Sequence, residues 1–419
     1  MRMISDRRWA GRTLWISAIL WAMAVPGSAQ SVDDFFKGDV IHDLYLTIFP
    51  DDWKRLKDNF LDDTYYPGDI EWGEAYFENI GVRSRGLGSR TDLKPGLKVD
   101  CDRYEDGQRC LGLRSFHLKN MIQDASMLKE RVAMLFFQRM GFPVPREAYA
   151  RLYINDEFAG LYIIVESIDK VYLKKNFDEN DGHLYSYEYA GPYYYEWRGP
   201  EASKYVPSPF KPKTREKLKD QNAEPLVALI RLFNEAPVES FDTALADHID
   251  IRSLLTEVAV ENFLAEFDGI LGEFGTANFY IYRFEKKNFF RYLPWDKDNT
   301  FNAVERSIWK NTNDYVFMRR ALENPSLRMA YLEALAKAIE QAGGPGGWLE
   351  ETLNTQYNLI RQSVLDDPLK LCPPLPFRPI ERCTNEQFEA EVERMRNFIR
   401  ERALWMRPEL ESAGYVFPQ

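Results

Sequence analysis

The chain has 419 residues, enough for one or two substantial cores, with 45% hydrophobic and 28% charged residues, a globular mix that excludes disorder as the default. Lys and Arg number 54 against 65 Asp and Glu, a formal charge of −11. A long-range field of that sign excludes wrapping nucleic acid or lying on anionic lipid, and leaves only local basic pockets for phosphate.

The N-terminus reads as an export signal. Arg2, Arg7, Arg8 and Arg12 precede an apolar run from Leu14 to Val25, and Pro26, Gly27, Ser28 and Ala29 suit cleavage near Ala29 or Gln30. The run is shorter than the roughly 20 apolar residues of a membrane anchor. Residues 1–29 are therefore predicted to be a signal peptide and 30–38 a leader. The mature protein is expected to have no membrane span and to be secreted, either periplasmic or extracellular.

Four cysteines suit that compartment. Cys101 and Cys110 flank the turn-forming pair Asp106-Gly107, and Cys372 and Cys383 enclose a proline-rich loop. Neither pair has CxxC spacing or a nearby His to complete a zinc site. Two local disulfides, Cys101–Cys110 and Cys372–Cys383, are the expectation.

Ile41, Leu44, Leu46 and Ile48 give the alternation of a strand, followed by a short helix over Asp51–Asn59. Further strands are predicted at Tyr76–Val82, Leu97–Cys101 and Leu113–Leu118. A helix over Ser126–Met140 gathers Leu128, Val132, Leu135, Phe136 and Met140 on one face, with Ser126 as N-cap and Gly141 as stop. Ala148–Ile154 and Gly160–Glu166 then read as a hairpin through Asn155-Asp156.

Residues 184–210, crowded with Tyr, Pro and Trp197, read as a long ordered loop in which Tyr193, Tyr194, Tyr195 and Trp197 pack. Helical spacing recurs at Leu226–Phe233, Ile251–Phe267, Ser326–Gln341, Trp348–Val364 and Gln387–Leu404, where Thr384 and Gln387 make a capping box. Between two of these helices, Ala277–Phe284 and Phe289–Trp295 are strand-like. The expected fold is α+β and two-lobed, like a protein kinase. A β-rich lobe with one inserted helix (39–170) precedes a mainly helical lobe carrying a buried hairpin (171–419).

Several ordered segments resemble the spore coat protein H (CotH) kinase family. Gly81-Val82-Arg83-Ser84-Arg85-Gly86 with Ser89-Arg90 is similar to its "GVRxRG…S" turn, and Lys94 through Asp100 to its lysine-bearing strand. Gly112-Leu113-Arg114 through Leu118-Lys119-Asn120 resembles "GLKKLNLKN", and Lys129-Glu130-Arg131 resembles "REK". Ile154-Asn155, Gly160-Leu161-Tyr162 and Val165-Glu166 are similar to "YVNGEYxGLYxxVE". Phe267-Asp268-Gly269, Asn278-Phe279-Tyr280 and Pro294-Trp295-Asp296-Lys297-Asp298-Asn299 complete the set. The resemblance spans about Val40 to Phe301, leaving 302–419 as a C-terminal helical extension.

That resemblance implies transfer of the γ-phosphoryl group of ATP, with Mg²⁺ or Mn²⁺, to Ser or Thr of an exported or cell-surface protein. Phosphoryl transfer needs cations around the phosphates, carboxylates for the metal and a carboxylate that orients the attacking hydroxyl. Asp268 is the candidate catalytic base, and Asn278, Asp296 and Asp298 the metal ligands. Arg85 and Ser89 are candidates for cradling phosphate oxygens. Lys94 and Lys98 share a parity that lets both face a nucleotide, and the family pattern favours Lys94. Glu130 is the lysine's expected partner, and Glu166 joins the cofactor-binding set. Two other readings stand beside this one: AMP transfer by the same acids, and a catalytically silent surface-assembly protein with a structural metal. All three require Asp268, Asn278 and Asp296 to converge. The phosphotransfer readings further require a lysine opposite them.

Overall fold

A computed structural model describes residues 30–214, 223–372 and 381–418. The expected signal peptide lies outside the described residues, as does the side chain of Cys372. The first part contains α1 (Val32–Phe35), β1 (Ile41–Ile48), α2 (Pro50–Asp58), β2 (Tyr66–Trp72), β3 (Ala75–Ser84), β4 (Leu97–Asp100), β5 (Ser115–Lys119), α3 (Lys129–Arg139), β6 (Glu147–Ile154) and β7 (Glu157–Glu166). Its seven strands close into a barrel of order β1-β2-β3-β4-β5-β7-β6, sealed by parallel pairing of β1 with β6. Closure leaves no exposed strand edge.

Alternation decides which residues fill the barrel and which face out. Leu44, Leu46, Ile80, Val82, Leu97, Val99, Phe116 and Leu118 form its interior. The intervening positions Arg83, Lys98 and His117 line up across β3, β4 and β5 on the outer face, and Lys119 lies one pleat further along β5. The Cys101–Cys110 bridge staples the end of β4, as expected, and Cys383 is also disulfide-bonded.

The helix expected from Ser126 begins at Lys129. The Asp124 carboxylate accepts the N–H groups of Leu128 and Lys129 at 2.8 Å each. Asp124 therefore shares the capping expected of Ser126, whose hydroxyl also accepts the Leu128 N–H at 3.2 Å, and its carboxylate satisfies two free donors of the first turn. The apolar face of α3, including Val132 and Phe136, packs with Tyr149, Leu161 and Ile163 from the outside of the barrel.

The second part contains α4 (Lys170–Phe177), β8 (His183–Tyr187), β9 (Phe210–Pro212), α5 (Glu224–Glu235), α6 (Phe241–Leu245), α7 (Ile251–Phe263), β10 (Phe279–Arg283), β11 (Phe290–Pro294), α8 (Val316–Glu323), α9 (Pro325–Ala342), α10 (Trp348–Leu365), β12 (Leu371–Cys372), β13 (Glu381–Arg382) and α11 (Asn385–Ser412). The expected hairpin, β10 and β11, is half of a four-stranded sheet of order β11-β10-β8-β9. The stretch 184–210 is thus not loop throughout: β8 and β9 take its two ends. Tyr193 and Tyr195 do pack in the core. α7 stops at Phe263, short of the expected Phe267, as the chain turns through Ala265 at φ +52°.

The segment set apart as an extension is woven into the rest. Arg402 of α11 is fully buried and donates to the carbonyls of Asn262, Phe263, Val304 and Arg306. Asp367, just past α10, pairs with Lys94 of the barrel at 2.7 Å. Among the described residues, no helix is long and apolar enough to cross a membrane.

Candidate functional site

The site lies where the outer face of β5 meets α3 and the end of β11. Lys119, the last residue of β5, turns its ammonium onto three carboxylates: Asp296 at 2.5 Å, Glu130 at 2.9 Å and Asp298 at 3.4 Å. One oxygen from each of these acids lies within 4.8 Å of the others. Arg85 approaches Asp296 at 3.9 Å and lies over the Trp295 ring. The Arg85 backbone is fixed by its N–H, which donates to the Gly96 carbonyl at 2.8 Å.

β11 ends at Pro294, and the next two residues turn the chain so that Asp296 faces the barrel. Asp296 is at φ +57° and Asn278 at φ +55°, left-handed positions that Asp and Asn occupy more readily than most residues. Asn278 donates its amide to the Asp268 carboxylate at 3.0 Å and to the Asp268 carbonyl at 2.8 Å. Lys297 points the opposite way from Asp296, into the helical part, and ties Glu261 at 2.6 Å to the Asn278 carbonyl at 2.9 Å. The second oxygen of Glu261 accepts the Ile270 N–H at 2.8 Å. One buried Glu–Lys pair therefore holds both loops that carry Asp268, Asn278 and Asp296. The Lys297 N–H donates to Glu130 at 2.6 Å and links α3 to the same turn.

Burial pushes Asp268 up to about 6, helped by the nearby Asp296 charge. Burial likewise lifts Asp298 to about 7, against the pull of Lys119. Burial also opposes ionisation of Asp296, but Lys119 and Arg85 outweigh it and hold that carboxyl below its usual range. Burial disfavours the charged form of Lys119, yet Asp296, Asp298 and Glu130 together raise it well above an ordinary lysine. Adjacent acids with separated proton affinities are a mark of functional sites.

Of the expected residues, Asp268, Asn278, Asp296, Asp298, Glu130 and Arg85 come together here. Ser89 lies on the neighbouring loop, its carbonyl held by Asn120 at 3.0 Å. Lys98 is on the same barrel face one row away. Two assignments need correction. Lys94 does not face the cleft: it is wholly buried against Asp367 and the Tyr162 ring. Glu166 is bound by Arg146 at 2.5 Å and belongs to the far end of β7. The lysine that meets Glu130 is Lys119. Its signal was present in the sequence, since it shares the parity of His117 and closely precedes the helix carrying Glu130.

The donor set fits Mg²⁺ or Mn²⁺: the carboxylates of Glu130, Asp296 and Asp298 offer hard oxygens within 4.8 Å of one another. Those three would hold such an ion, and Asn278, expected beside them as a ligand, has its amide N–H bonded to Asp268.

The chain is 22% identical over 381 residues to the inner spore coat protein H of Bacillus subtilis (strain 168), covering 87% of this chain and 96% of that protein. Among solved structures it matches the Helicobacter pylori proinflammatory kinase CtkA at 10% identity and a TM-score of 0.32, over 76% of this chain and 93% of that one. It also matches the Shewanella oneidensis MR-1 toxin–antitoxin system HipA, HipB at 10% identity and a TM-score of 0.34, spanning 71% of this chain and 59% of that one. The family model described as CotH kinase protein matches residues 82–406, well over half of the sequence, and the chain belongs to that family.

Proposed function

We propose that this chain is a secreted kinase that transfers the γ-phosphoryl group of ATP to Ser or Thr hydroxyls of exported or cell-surface proteins, between a β-rich and a helical lobe. The observation that carries the proposal is Lys119 set against Glu130, Asp296 and Asp298, with Asp268 beside them. A single cleft thereby offers a phosphate-binding cation, a set of metal carboxylates and a base. Membership of the CotH kinase family supports the same reading, and the Cys101–Cys110 bridge fits an oxidising compartment.

In this reading Asp268, at about 6, orients the acceptor hydroxyl and takes its proton as the bond from its oxygen to the γ-phosphorus forms and the bond to the β–γ bridging oxygen breaks, with ADP as the leaving group. Asn278 keeps the Asp268 carboxylate in place through its amide. Arg85 and Lys119 hold phosphate oxygens, with Glu130 fixing Lys119 as its carboxylate partner. When bound, Mg²⁺ or Mn²⁺ supplies charge neutralisation at the β- and γ-phosphates.

The test is incubation with Mn²⁺ and ATP labelled at either the α- or the γ-phosphate, followed by intact mass and label transfer to the protein or to casein. Label from the γ position is the expected result. Label from the α position would replace the proposal with AMP transfer, and metal-dependent binding without any transfer would replace it with a surface-assembly role.

A further inference from the structure

Resting on the nucleotide-binding reading above, we infer that His117 is the residue that recognises the nucleoside part of the nucleotide, through its Nδ1. Four observations lead there. His117 lies two residues before Lys119 on β5, so both side chains leave the same outer face of the barrel, about 6–7 Å apart along the strand. A phosphate chain anchored at Lys119 and Arg85 would run along this face, and the group following the phosphates would arrive at the His117 row. In that row Arg83, Lys98 and His117 stand directly side by side on paired strands.

The ring is held in a fixed orientation. Its Nε2 meets the Ser167 hydroxyl at 3.2 Å, which in turn meets the Ser115 hydroxyl at 2.9 Å. Its opposite side meets the Trp295 ring edge to face, with centroids 5.4 Å apart. Trp295 directly precedes Asp296, so the residue that supports His117 is coupled to the metal-binding turn. A ring anchored on both sides presents its remaining nitrogen in one place.

That nitrogen has no partner. Nδ1 is shielded from solvent and makes no hydrogen bond within the protein. A buried polar atom left unpaired carries a desolvation cost that a ligand hydrogen bond would remove. The ring is also kept neutral: burial, then the charges of Arg85, Lys98, Lys213 and Arg83, hold it well below an ordinary histidine. A neutral imidazole has one donor and one acceptor nitrogen, and the two-hydroxyl chain at Nε2 can run in either direction. Nδ1 can therefore accept from a sugar hydroxyl or donate to a base nitrogen. Beside these cations the imidazole is the neutral, directional contact of the row.

The experiment compares MnATP with manganese tripolyphosphate, which carries the phosphates without a nucleoside. Affinities of both for the wild-type mature chain, His117→Ala and His117→Asn are measured by calorimetry, with thermal melts to verify folding. The expected result is a loss of about tenfold for MnATP in His117→Ala, the scale of one hydrogen bond. Tripolyphosphate affinity is expected to change less than about twofold, and His117→Asn to fall between, because its amide keeps part of the hydrogen bonding. Should His117→Ala fail to fold, His117→Asn against wild type carries the same comparison. Equal losses for both ligands, or no loss for either, overturn the inference and leave the phosphotransfer reading standing. A wild-type chain that binds neither ligand overturns both.

Discussion

Lys94, on the loop before β4, and Lys119, at the end of β5, are both buried lysines, and they have opposite fates. Lys94 meets one carboxylate, Asp367, whose own side chain is equally buried and also accepts the N–H groups of Leu161 and Leu369. Both Asp367 oxygens have donors, and the nearby Lys370 adds a second cation, so this site has no excess of acid. Lys119 meets three carboxylates, one of which, Asp296, also feels the more distant Arg85 and Lys297. That end of the barrel holds more negative charge than its cations balance. A buried pair that balances is architecture, whereas a buried cluster left in charge excess is built for a further cation and the anion that travels with it.

The largest effects should fall on the unbalanced side. Asp296→Ala is expected to abolish metal-dependent nucleotide binding, because the metal loses its most strongly ionised oxygen. Asp268→Ala should leave that binding in place and cut turnover by roughly 10²–10⁴-fold, the range for a lost general base. Calorimetry with MnATP and single-turnover label transfer separate the two. If both variants bind and turn over like the parent, the charge excess has no catalytic meaning.

On the balanced side the expected loss is of stability. Asp367→Ala strands the Lys94 ammonium in a fully buried site, at a cost of about 3–5 kcal/mol. Urea unfolding of the mature chain measures it. A cost under about 1 kcal/mol would mean that the pair contributes little, and that the C-terminal segment is held to the barrel by packing alone.

Much of this comparison was legible in the sequence, and the part that was not has physical causes. The acids were readable because Asp268, Asn278 and Asp296 stand at the ends of well-patterned elements, next to a Gly or an aromatic. Strands β3 to β7 and helix α3 announced themselves by period. β2 did not, since Pro67 and Gly68 sit at its start and its register shifts between Gly68 and Ile70. β8 escaped because all five of its residues are buried, which erases alternation. Closure of β1 on β6 joins residues more than a hundred positions apart, beyond any local pattern. The choice of lysine failed for a related reason. Parity shows which residues share a face, but not which face of a closed barrel meets the helical part. Lys94 lies on a loop that folds under the barrel, so its parity with Lys98 carried no information.

A smaller effect sharpens the contrast between the two lysines. The Lys119 ammonium sits among the same three carboxylates that would hold a metal, so ammonium and bare metal compete for one set of oxygens. Lys119→Met should therefore bind Mn²⁺ alone about tenfold more tightly than the wild type, the scale of one removed charge at an effective interior dielectric. It should bind MnATP more weakly, because the phosphates lose their cation. Electron paramagnetic resonance of free Mn²⁺ reads the first and calorimetry the second. Lys94→Met offers the control: no change in Mn²⁺ affinity, since Asp367 is remote from the cluster. Weaker Mn²⁺ binding in Lys119→Met would mean that the lysine organises the acids and does not compete for them.

The smallest expected effect is a pH dependence of stability that belongs to the cleft's neutral histidine. His117 is held well below the ordinary histidine range by burial and by Arg85, Lys98, Lys213 and Arg83, whereas in the unfolded chain it titrates near 6.5. Below that pH the unfolded chain takes up a proton that the native state refuses. Stability due to this group is therefore complete above about pH 7 and falls as the pH drops through 6.5, by at most ~1.4 kcal/mol per pH unit. The buried acids pull the other way. Asp268 and Asp298, raised to about 6 and about 7, bind protons more readily folded than unfolded, so their contribution declines as pH rises through those values. Total stability therefore hides the histidine, and a difference measurement exposes it. His117→Asn keeps the acids and removes the titrating ring. Between pH 7 and 5.5 the wild type should lose about 1–1.5 kcal/mol relative to His117→Asn, read from parallel urea curves. Parallel pH profiles for the two proteins would mean that the ring is protonated in the folded state, and that the cations around it are screened or turned away.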